Sequence, residues 1–359
     1  MRTEIDYIIL GGGLAGTCMA RWLLARQQRV LIIHDQTFPD SSYISGGLME
    51  AISGQFLTLT WRHEEVLPYA IQFYRDLENM LQSSFFHQNK AFRVFNSSEQ
   101  YDLYQRKKTR PYYQSLFKST LPASSCYQGI HMPFGGVELE ASYQLRAPLF
   151  LTAMHAYFNQ LGCQYQHPFS FNDLQVSQSF VSYKGYKAKG LICCEGAHVR
   201  HNPFFESYPF KFSKGELLDF FHPMLPEKTS FNGPKLLIPM SQGHFRIGST
   251  YHWDNVSFLP SRDGYQTLHG HLSDMLTDSF QDHRLSAGVR CRLRDFRPII
   301  GPHHQQSRIF IMNGLSGKGA LHAPYLAQQL GRFILDQVPI PSDMSSHRFS
   351  HIFTPLNAT

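Results

Sequence analysis

The sequence predicts an α/β fold, and three consecutive segments near the N-terminus predict its first part. Residues 6–10 form an apolar stretch with the length and composition of a buried strand. A glycine-rich turn follows at 11–16, and residues 17–26 then carry apolar side chains at helical spacing. A second apolar strand at 29–33 completes a βαβ unit.

Glycines stand at three fixed positions between the first strand and the helix. Gly11, Gly13 and Gly16 form the pattern GxGxxG, with Leu14 and Ala15 inside it. In a βαβ unit the first glycine permits the tight turn, the second lets the backbone approach a pyrophosphate, and the third lets helix and strand pack closely. The helix N-terminus offers free N–H groups and a positive dipole end to phosphate. The segment therefore predicts a dinucleotide site.

The residue that holds the ribose of this dinucleotide is open to two interpretations. A carboxylate at the end of the second strand usually accepts a ribose hydroxyl. Spacing places His34 there, with Asp35 next to it. Either Asp35 takes the role after a small shift of register, or His34 makes a weaker hydrogen bond. No arginine lies nearby, which argues against a 2′-phosphate.

Composition limits the class of protein. The 359 residues, 42% of them hydrophobic, suffice for one large or two intertwined domains. The net charge of +6 fits a phosphate-bearing cofactor and does not by itself indicate nucleic acid. No apolar run is long enough to span a bilayer, and the first residues lack the pattern of a signal peptide. We expect a cytoplasmic protein without a transmembrane segment; the sequence says nothing about its oligomeric state.

The cysteines and histidines do not predict a metal site. None of the six cysteines stands in a CxxC pair, and the histidine pairs lack a third ligand at suitable spacing. Cys193 and Cys194 lie in an apolar stretch and are expected to be buried.

The loop after the second strand distinguishes among dinucleotide cofactors. Residues 40–49 are polar and contain glycine, so they can wrap a diphosphate and approach a flat ring. With the fingerprint, this segment resembles the D-amino-acid oxidase and glycine oxidase superfamily of flavoproteins. The resemblance implies FAD as the cofactor. Non-covalent binding is expected because Cys291 does not fall at the spacing of a flavin-linked cysteine. By the same resemblance, the loop residues along the cofactor are Ser41, Ser42, Gly46 and Gly47.

Three later segments are similar to the same family. Residues 190–197 resemble its apolar strand that ends in a glycine against the cofactor. Residues 288–301 resemble its segment of glycine, apolar residue and arginine followed by Asp, Pro and Gly. Residues 313–324 look like the turn and helix start that close over the flavin. The resemblance makes the following residues cofactor contacts: Gly196, Gly314, Gly317, Lys318 and Gly319.

The family's organisation implies a Rossmann-type FAD-binding domain intertwined with an α+β substrate domain that carries a mixed sheet. We predict the FAD-binding domain over 1–80, 145–215 and 288–359, and the substrate-binding domain over 81–144 and 216–287. Local patterns agree with this division. They predict helices over 61–81 and 147–161 and a strand over 92–95. Residues 245–251 resemble the family strand whose glycine turns back near the active site, which implies a strand there.

Three residues are candidates for catalysis. Arg290 matches the family's carboxylate clamp; the alternative is a structural ion pair with Asp295. Tyr251 could face the ring or the substrate, or pack in the core. Lys318 could stabilise the reduced flavin or assist oxygen activation, or it could be a surface lysine that caps the turn. Because residues 236–239 lack the tyrosines of glycine oxidases, a simple glycine oxidase is disfavoured.

The expected activity is FAD-dependent oxidation of a C–N bond in a small amino acid or secondary amine. It would proceed by hydride transfer to flavin N5, imine hydrolysis and reoxidation by O2. The C-terminal third also looks like the FAD domain of the bifunctional enzyme that matures the tRNA wobble uridine. One alternative is therefore oxidation of a modified-nucleoside amine on tRNA, with the basic, aromatic run at 104–113 as an RNA contact or a solvated loop. Another alternative is a dehydrogenase that passes electrons to a partner protein.

Overall fold

The computed structural model of the chain describes residues 3–35 and 40–352. The predicted domain ends at 1–2 and 353–359, and a short part of the FAD-binding segment at 36–39, lie outside the described residues. The α-helices in the described part are α1 (Leu14–Ala25), α2 (His63–Leu81), α3 (Ser98–Lys108), α4 (Pro111–Gln114), α5 (Ala147–Gln160), α6 (Arg262–Met275) and α7 (Gly319–Asp336).

The strands of the described part are β1 (Thr3–Glu4), β2 (Tyr7–Leu10), β3 (Val30–His34), β4 (Leu48–Glu50), β5 (Ile52–Ser53), β6 (Thr58–Leu59), β7 (Phe86–Val94), β8 (Phe117–Leu121), β9 (Ser125–Tyr127), β10 (Ile130–Met132), β11 (Gly136–Leu139), β12 (Ser142–Leu145), β13 (Gln164–Gln166), β14 (Leu174–Val176), β15 (Val181–Tyr183), β16 (Tyr186–Ala188), β17 (Gly190–Cys193), β18 (Phe210–Phe221), β19 (Thr229–Asn232), β20 (Leu236–Ser241), β21 (His244–Gly248), β22 (Gln281–Leu293), β23 (Ile299–Pro302) and β24 (Ile309–Asn313).

A six-stranded sheet carries the N-terminal βαβ unit. Its order is β13-β3-β2-β17-β24-β23, and every pair is parallel except β23 with β24. Both faces are covered, which explains why β2 is apolar throughout. Tyr7 and Ile9 pack in one core with α1, α2, α5 and α7, whereas Ile8 and Leu10 pack in a second core on the other face.

The strand order reverses direction at β2 and β17. From β2 the chain goes outward to β3 and β13, and it later fills the other side with β17 and β24. Loops leaving the carboxyl ends of β2 and β17 therefore diverge, and they leave a crevice between them.

A second sheet is larger and mixed. Its main path is β22-β18-β21-β20-β19-β7-β11-β8, and β12 and β4 are attached through β7. β19 runs parallel to β7 and antiparallel to its other neighbour, β20. Helix α6 and the inner faces of β7 and β18–β21 share a separate apolar core. The predicted α/β fold with a Rossmann-type sheet and a mixed sheet is confirmed.

The chain alternates between the two sheets, and the long strands β18 and β22 pair from Phe210 with Leu293 to Phe221 with Gln281. The predicted boundaries at 215 and 288 thus fall inside strands, and the division into domains stays a prediction. The first helix starts at Leu14 rather than at the predicted residue 17, because the end of the fingerprint is itself helical. The strand predicted over 245–251 ends at Gly248.

Within the described ranges, no helix combines the length and the apolar composition needed to cross a membrane.

Candidate active site

A cavity of about 1180 Å³ lies between the two sheets, above the crevice at β2 and β17. A pocket for one small molecule usually measures roughly 300–1,000 Å³, so this cavity has room for a cofactor and a second molecule. The predicted site residues that line it are Gly11, Gly13, Leu14, Ala15, His34, Asp35, Ser41, Ser42, Gly46, Gly47, Gly196, Tyr251, Arg290, Gly317, Lys318 and Gly319. Gly16 and Gly314 do not line it; both lie behind its wall.

The fingerprint turn requires glycine for steric reasons. Gly11 has φ +109°, and a Cβ there would lie 2.5 Å from the carbonyl oxygen of Cys194. A Cβ on Gly16 would overlap the carbonyl oxygen of Gly11, so α1 could not approach β2. The absence of side chains at these positions brings the start of α1 against the cavity, as a dinucleotide site needs.

The N-terminus of α1 faces the cavity with its backbone N–H groups. Its first turn carries no acidic residue and its cap residue is Gly13, but the Asp40 carboxylate lies beside Gly13 and accepts the Ser42 N–H at 2.7 Å. The loop after the second strand closes over this end. Ser42 Oγ accepts the Leu14 N–H at 3.2 Å, and Ser41 Oγ bonds both the N–H and the carbonyl of Val289 at 2.9 Å. These contacts pin the loop between α1 and β22.

A network of neutral side chains replaces the expected carboxylate at the end of β3. His155 Nε2 contacts the Gly12 carbonyl at 2.8 Å, so it must carry the proton and donate. His155 Nδ1 therefore accepts from Gln164 Nε2 at 2.9 Å, and the second amide hydrogen of Gln164 points to His34 Nε2. It follows that His34 Nδ1 carries a proton.

His34 is buried, and its protonated nitrogen lies beside Gly12, which lines the cavity. Burial, with a smaller effect of His155, lowers the pKa of His34 to about 4, so the ring is neutral near pH 7. Asp35 also lines the cavity and is half-buried. Both predicted ribose residues thus reach the cavity, and the choice between them stays a prediction.

Arg290 enters the cavity from β22. Its guanidinium lies over Gly215, where a Cβ would overlap it. It donates to Ser249 Oγ and to the Thr250 carbonyl at 3.4 Å, and it stacks on the Tyr251 ring with 4.4 Å to the centroid. All these partners are neutral, which leaves the charge of Arg290 free for an anion.

The alternative interpretations of Arg290 as an ion-pair partner of Asp295 and of Tyr251 as a core residue are wrong. Asp295 pairs with Arg348 at 3.0 Å and not with Arg290. Tyr251 is 61% exposed at the cavity mouth and is not part of the core.

Lys235 is a cavity residue that the sequence did not indicate. It lies in the turn before β20, and its Nζ donates to the Ser249 carbonyl at 3.2 Å. Burial and the nearby Arg290 charge lower the pKa of Lys235. A lone lysine in a turn carries no sequence signal, because only the packing of β20 against β21 brings it to Ser249.

Lys318 joins a buried polar cluster on the other side of the cavity. Its Nζ donates to Thr60 Oγ1 at 2.8 Å, and Thr60 Oγ1 donates to the Glu50 carbonyl at 3.0 Å. The Glu50 carboxylate pairs with Arg93 at 3.4 Å, and both side chains are almost fully buried. Burial lowers the pKa of Lys318 to about 8, while it raises that of Glu50 against the pull of Arg93. Lys318 is thus the cavity cation best placed to release a proton near neutral pH.

The start of α7 also faces the cavity. Gly317 and Lys318 form the turn before it, Gly319 is its first residue, and its first turn carries no acidic residue. Gly196 lines the opposite wall, and its carbonyl accepts a hydrogen bond from the Asn313 side chain at 3.0 Å.

The basic run at 104–113 is partly used in packing, and Arg106 and Arg110 are exposed. Tyr104 and Tyr113 are buried, and Lys107 Nζ donates to the carbonyls of Phe56 and Leu57 at 2.7 and 2.9 Å. Tyr112, 72% exposed, is the aromatic side chain of the run that faces solvent.

Over the residues that can be described, no three His, Cys, Asp or Glu side chains come together as a metal site. Cys193 and Cys194 are buried, as expected.

The fold and the glycine turn define a dinucleotide-binding oxidoreductase with a large second sheet over the cofactor crevice. The family model described as FAD dependent oxidoreductase (DAO) matches residues 6–332, so the chain belongs to this family of FAD-dependent oxidoreductases. The glycine turn, the backbone N–H groups at the start of α1 and the cavity volume fit FAD. The predicted family, enzyme class and cofactor are therefore confirmed.

Curated relatives include two kinds of protein. The bifunctional tRNA 5-methylaminomethyl-2-thiouridine biosynthesis protein of Acinetobacter baylyi is 23% identical over 384 residues, 95% of this chain and 55% of the relative. The chain thus spans about half the length of that relative. Glycine oxidase of Bacillus subtilis is 27% identical over 127 residues, 34% of each chain.

Solved structures show the same fold. Glycine oxidase from Geobacillus kaustophilus matches with a TM-score of 0.82 at 18% identity, covering 95% of this chain and 97% of the other. Iminodiacetate oxidase from Chelativorans sp. matches with a TM-score of 0.79 at 14% identity, covering 95% and 99%.

Proposed function

We propose that the protein oxidises a C–N bond of an amino acid or a carboxylate-bearing secondary amine. The observation that carries this proposal is Arg290, a cavity arginine that contacts only neutral groups. A planar guanidinium binds both oxygens of a carboxylate, and this geometry fixes the orientation of the bound amine. The glycine oxidase and iminodiacetate oxidase matches support an amine substrate by their names.

FAD, when bound, supplies the hydride acceptor of this chemistry. The chain's own part is to bind the substrate, orient it and accept its proton. Arg290 holds the carboxylate, and stacking on Tyr251 keeps the guanidinium in place. The ammonium of the substrate must lose a proton before its α C–H bond can be oxidised, and Lys318 Nζ is the proposed acceptor. Thr60, fixed to the Glu50 carbonyl, keeps Nζ in position before and after the transfer.

The start of α7 is proposed to stabilise negative charge. Its free N–H groups lie at the turn of Gly317, Lys318 and Gly319, on the cavity wall. Such a helix end favours an anion beside it by about 0.3–1 kcal/mol, and more where water is excluded. His34 or Asp35 is proposed to hold the ribose, with the other predicted glycines and serines along the diphosphate.

The test is to reduce the holoprotein with candidate amines in the absence of oxygen. A panel of amino acids, N-methyl amino acids and amines without a carboxylate is added, and bleaching of the visible flavin absorbance is followed. We expect bleaching only by carboxylate-bearing amines. Bleaching by none of them would overturn the proposal. Acid precipitation of the same sample should release FAD into the supernatant, as non-covalent binding requires.

A second candidate is oxidation of an amine on tRNA. It is supported by the relative from Acinetobacter baylyi, which matches 95% of this chain and is named for tRNA modification. Tyr104, Tyr113 and Lys107 of the predicted RNA contact at 104–113 are used in packing, while Arg106, Arg110 and Tyr112 stay exposed. Flavin bleaching by tRNA whose wobble uridine carries a secondary amine, with no bleaching by free amino acids, would favour this candidate.

The electron acceptor separates an oxidase from a dehydrogenase. We propose O2 as the acceptor, because the charged side chain of Lys318 lies on the cavity wall, where it can attract reduced oxygen species. Hydrogen peroxide formed in equal amount to substrate would support this. A reduced flavin that air does not reoxidise would point to a partner protein. The cytoplasmic location stays a prediction.

A further inference from the structure

Two cations meet at one serine on the substrate side of the cavity. Lys235 Nζ donates to the Ser249 carbonyl at 3.2 Å, and Arg290 donates to the Ser249 hydroxyl. They come from the turn before β20 and from β22, which lie on opposite sides of β21 in the sheet. Both line the cavity.

Neither cation has an acidic partner. In the part of the chain that is described, no carboxylate lies within 4.0 Å of Lys235 or Arg290, and their polar contacts are with oxygens of Ser249 and Thr250. Half-buried cations are rarely left without a counter-charge, because the loss of hydration is then not offset. Burial accordingly lowers the pKa of both groups, and Arg290 lowers that of Lys235 further.

Two other arginines on the cavity wall are neutralised. Arg246 binds Asp219 through two hydrogen bonds of 2.5 and 2.8 Å, and Arg93 pairs with Glu50. Arg292 and Lys318 also line the cavity, where Arg292 lies against Trp253 and Phe296 and Lys318 binds Thr60. Ser249 differs in that it contacts two cations, neither of which pairs with a carboxylate. One carboxylate on Arg290 would leave the charge of Lys235 uncompensated.

We propose that Lys235 and Arg290 form a subsite for two negative charges, so that the substrate amine carries a second anionic group besides the carboxylate. Arg290 binds one carboxylate through the N–H groups at the edge of its guanidinium, and Lys235 binds the second group as a point charge. The shared chemistry is a dianion, whose second group is a carboxylate or a phosphonate. The inference deepens the proposed function and rests on it, because the bound dianion is a substrate only if the protein oxidises amines. The subsite itself rests on the two cations.

The experiment measures binding without turnover. Oxidised holoprotein is titrated with butyrate and with succinate, which share a four-carbon chain and differ by one carboxylate, and the change in flavin absorbance gives each dissociation constant. We expect succinate to bind about 10- to 100-fold more tightly than butyrate, as one charge-assisted contact implies. 3-Phosphonopropionate, which carries one carboxylate and one phosphonate, tells the two sources apart. Tighter binding than succinate would assign a phosphonate-type group, and weaker binding would assign a second carboxylate.

Variants assign the effect to Lys235. Lys235→Met should remove the preference for succinate and leave butyrate binding within about twofold, while Lys235→Arg should keep the preference. Lys211→Met is the matched control, because Lys211 is exposed on β18 and does not line the cavity. Flavin content and melting temperature are recorded for each variant. Equal binding of butyrate and succinate to the wild type would overturn the inference, and so would an equal weakening of both by Lys235→Met.

The same samples separate the inference from the proposed function. A preference for succinate together with no bleaching by any carboxylate-bearing amine would leave the subsite standing and sink the amine oxidase proposal. Bleaching by amines with one carboxylate and no preference for succinate would do the reverse.

Discussion

The two ends of the cavity are built in different ways. At the dinucleotide end, the wall is mainly the backbone of Gly11–Gly13 and the start of α1, with the neutral His34 network and the side chains of Asp35 and Asp40 at its edge. At the substrate end, the wall carries charged side chains such as Lys235 and Arg290 that lie far apart in the sequence. The first end depends on steric fit within one short segment. The second depends on charges whose balance the packing of distant strands decides.

The largest loss of stability and FAD binding is expected when a side chain is added at the dinucleotide end of the cavity. Gly16→Ala would place a Cβ against the Gly11 carbonyl oxygen, a backbone atom that follows β2 and cannot shift freely. We therefore expect loss of FAD and destabilisation by about 3 kcal/mol or more. Gly270→Ala is the matched control, a helical glycine in α6 with nothing within 4 Å of an added Cβ. It should stabilise the protein by up to about 1 kcal/mol. Denaturant unfolding and visible flavin absorbance measure both; similar effects of the two changes would refute the steric account.

At the substrate end of the cavity, replacing Arg246 should mainly lower stability, whereas replacing Arg290 should mainly weaken ligand binding. Arg246→Met leaves Asp219 without its partner, so we expect the free energy of unfolding to fall by about 2–4 kcal/mol. Arg290→Met leaves no carboxylate behind, so unfolding should change by less than about 1 kcal/mol while succinate binding weakens strongly. Thermal unfolding with succinate titration measures this contrast. Equal loss of stability in both variants would mean that Arg290 is structural.

The pH dependence of stability tests the burial of Lys318. Its folded-state pKa of about 8 lies below its ordinary value of 10.5, so the unfolded chain binds more protons between these two values. The contribution of this group to stability therefore rises from about pH 8 to 10.5, and it is lost as the pH falls through 8. Lys318→Met should remove this rise, which urea unfolding at pH 7, 8, 9 and 10 would detect. An identical pH profile in both proteins would contradict the assignment.

The smallest expected effect concerns the neutral network at the dinucleotide end. His34→Ala should weaken FAD binding by about 5- to 10-fold, the value of one hydrogen bond, while Asp35→Asn should stay within about twofold. Because the pKa of His34 is about 4, FAD affinity in the wild type should be flat from pH 8 to about 5. Quenching of FAD fluorescence on addition to apoprotein measures both. A larger loss with Asp35→Asn would assign the ribose to that carboxylate.

Much of the dinucleotide end could be predicted because its residues act through local geometry. Gly11 and Gly16 have the same role wherever a strand turns into a helix, so their spacing alone placed α1 against β2. The tautomer of His34 could not be predicted, since it depends on Gln164 and His155, which reach it only through the pairing of β13 with β3 and the packing of α5.

By itself, the sequence determined the βαβ unit, because backbone turns and apolar periodicity are properties of neighbouring residues. The cofactor class and the arginine at position 290 came from its resemblance to the flavoprotein family. The tertiary structure decided which charges are free. Arg246 and Arg290 look alike in the sequence, yet β18 presents Asp219 to the first and Gly215 to the second. Only strand register settles that difference, and the charge left over around Ser249 follows from it, because electrostatic balance is set by distance in space rather than along the chain.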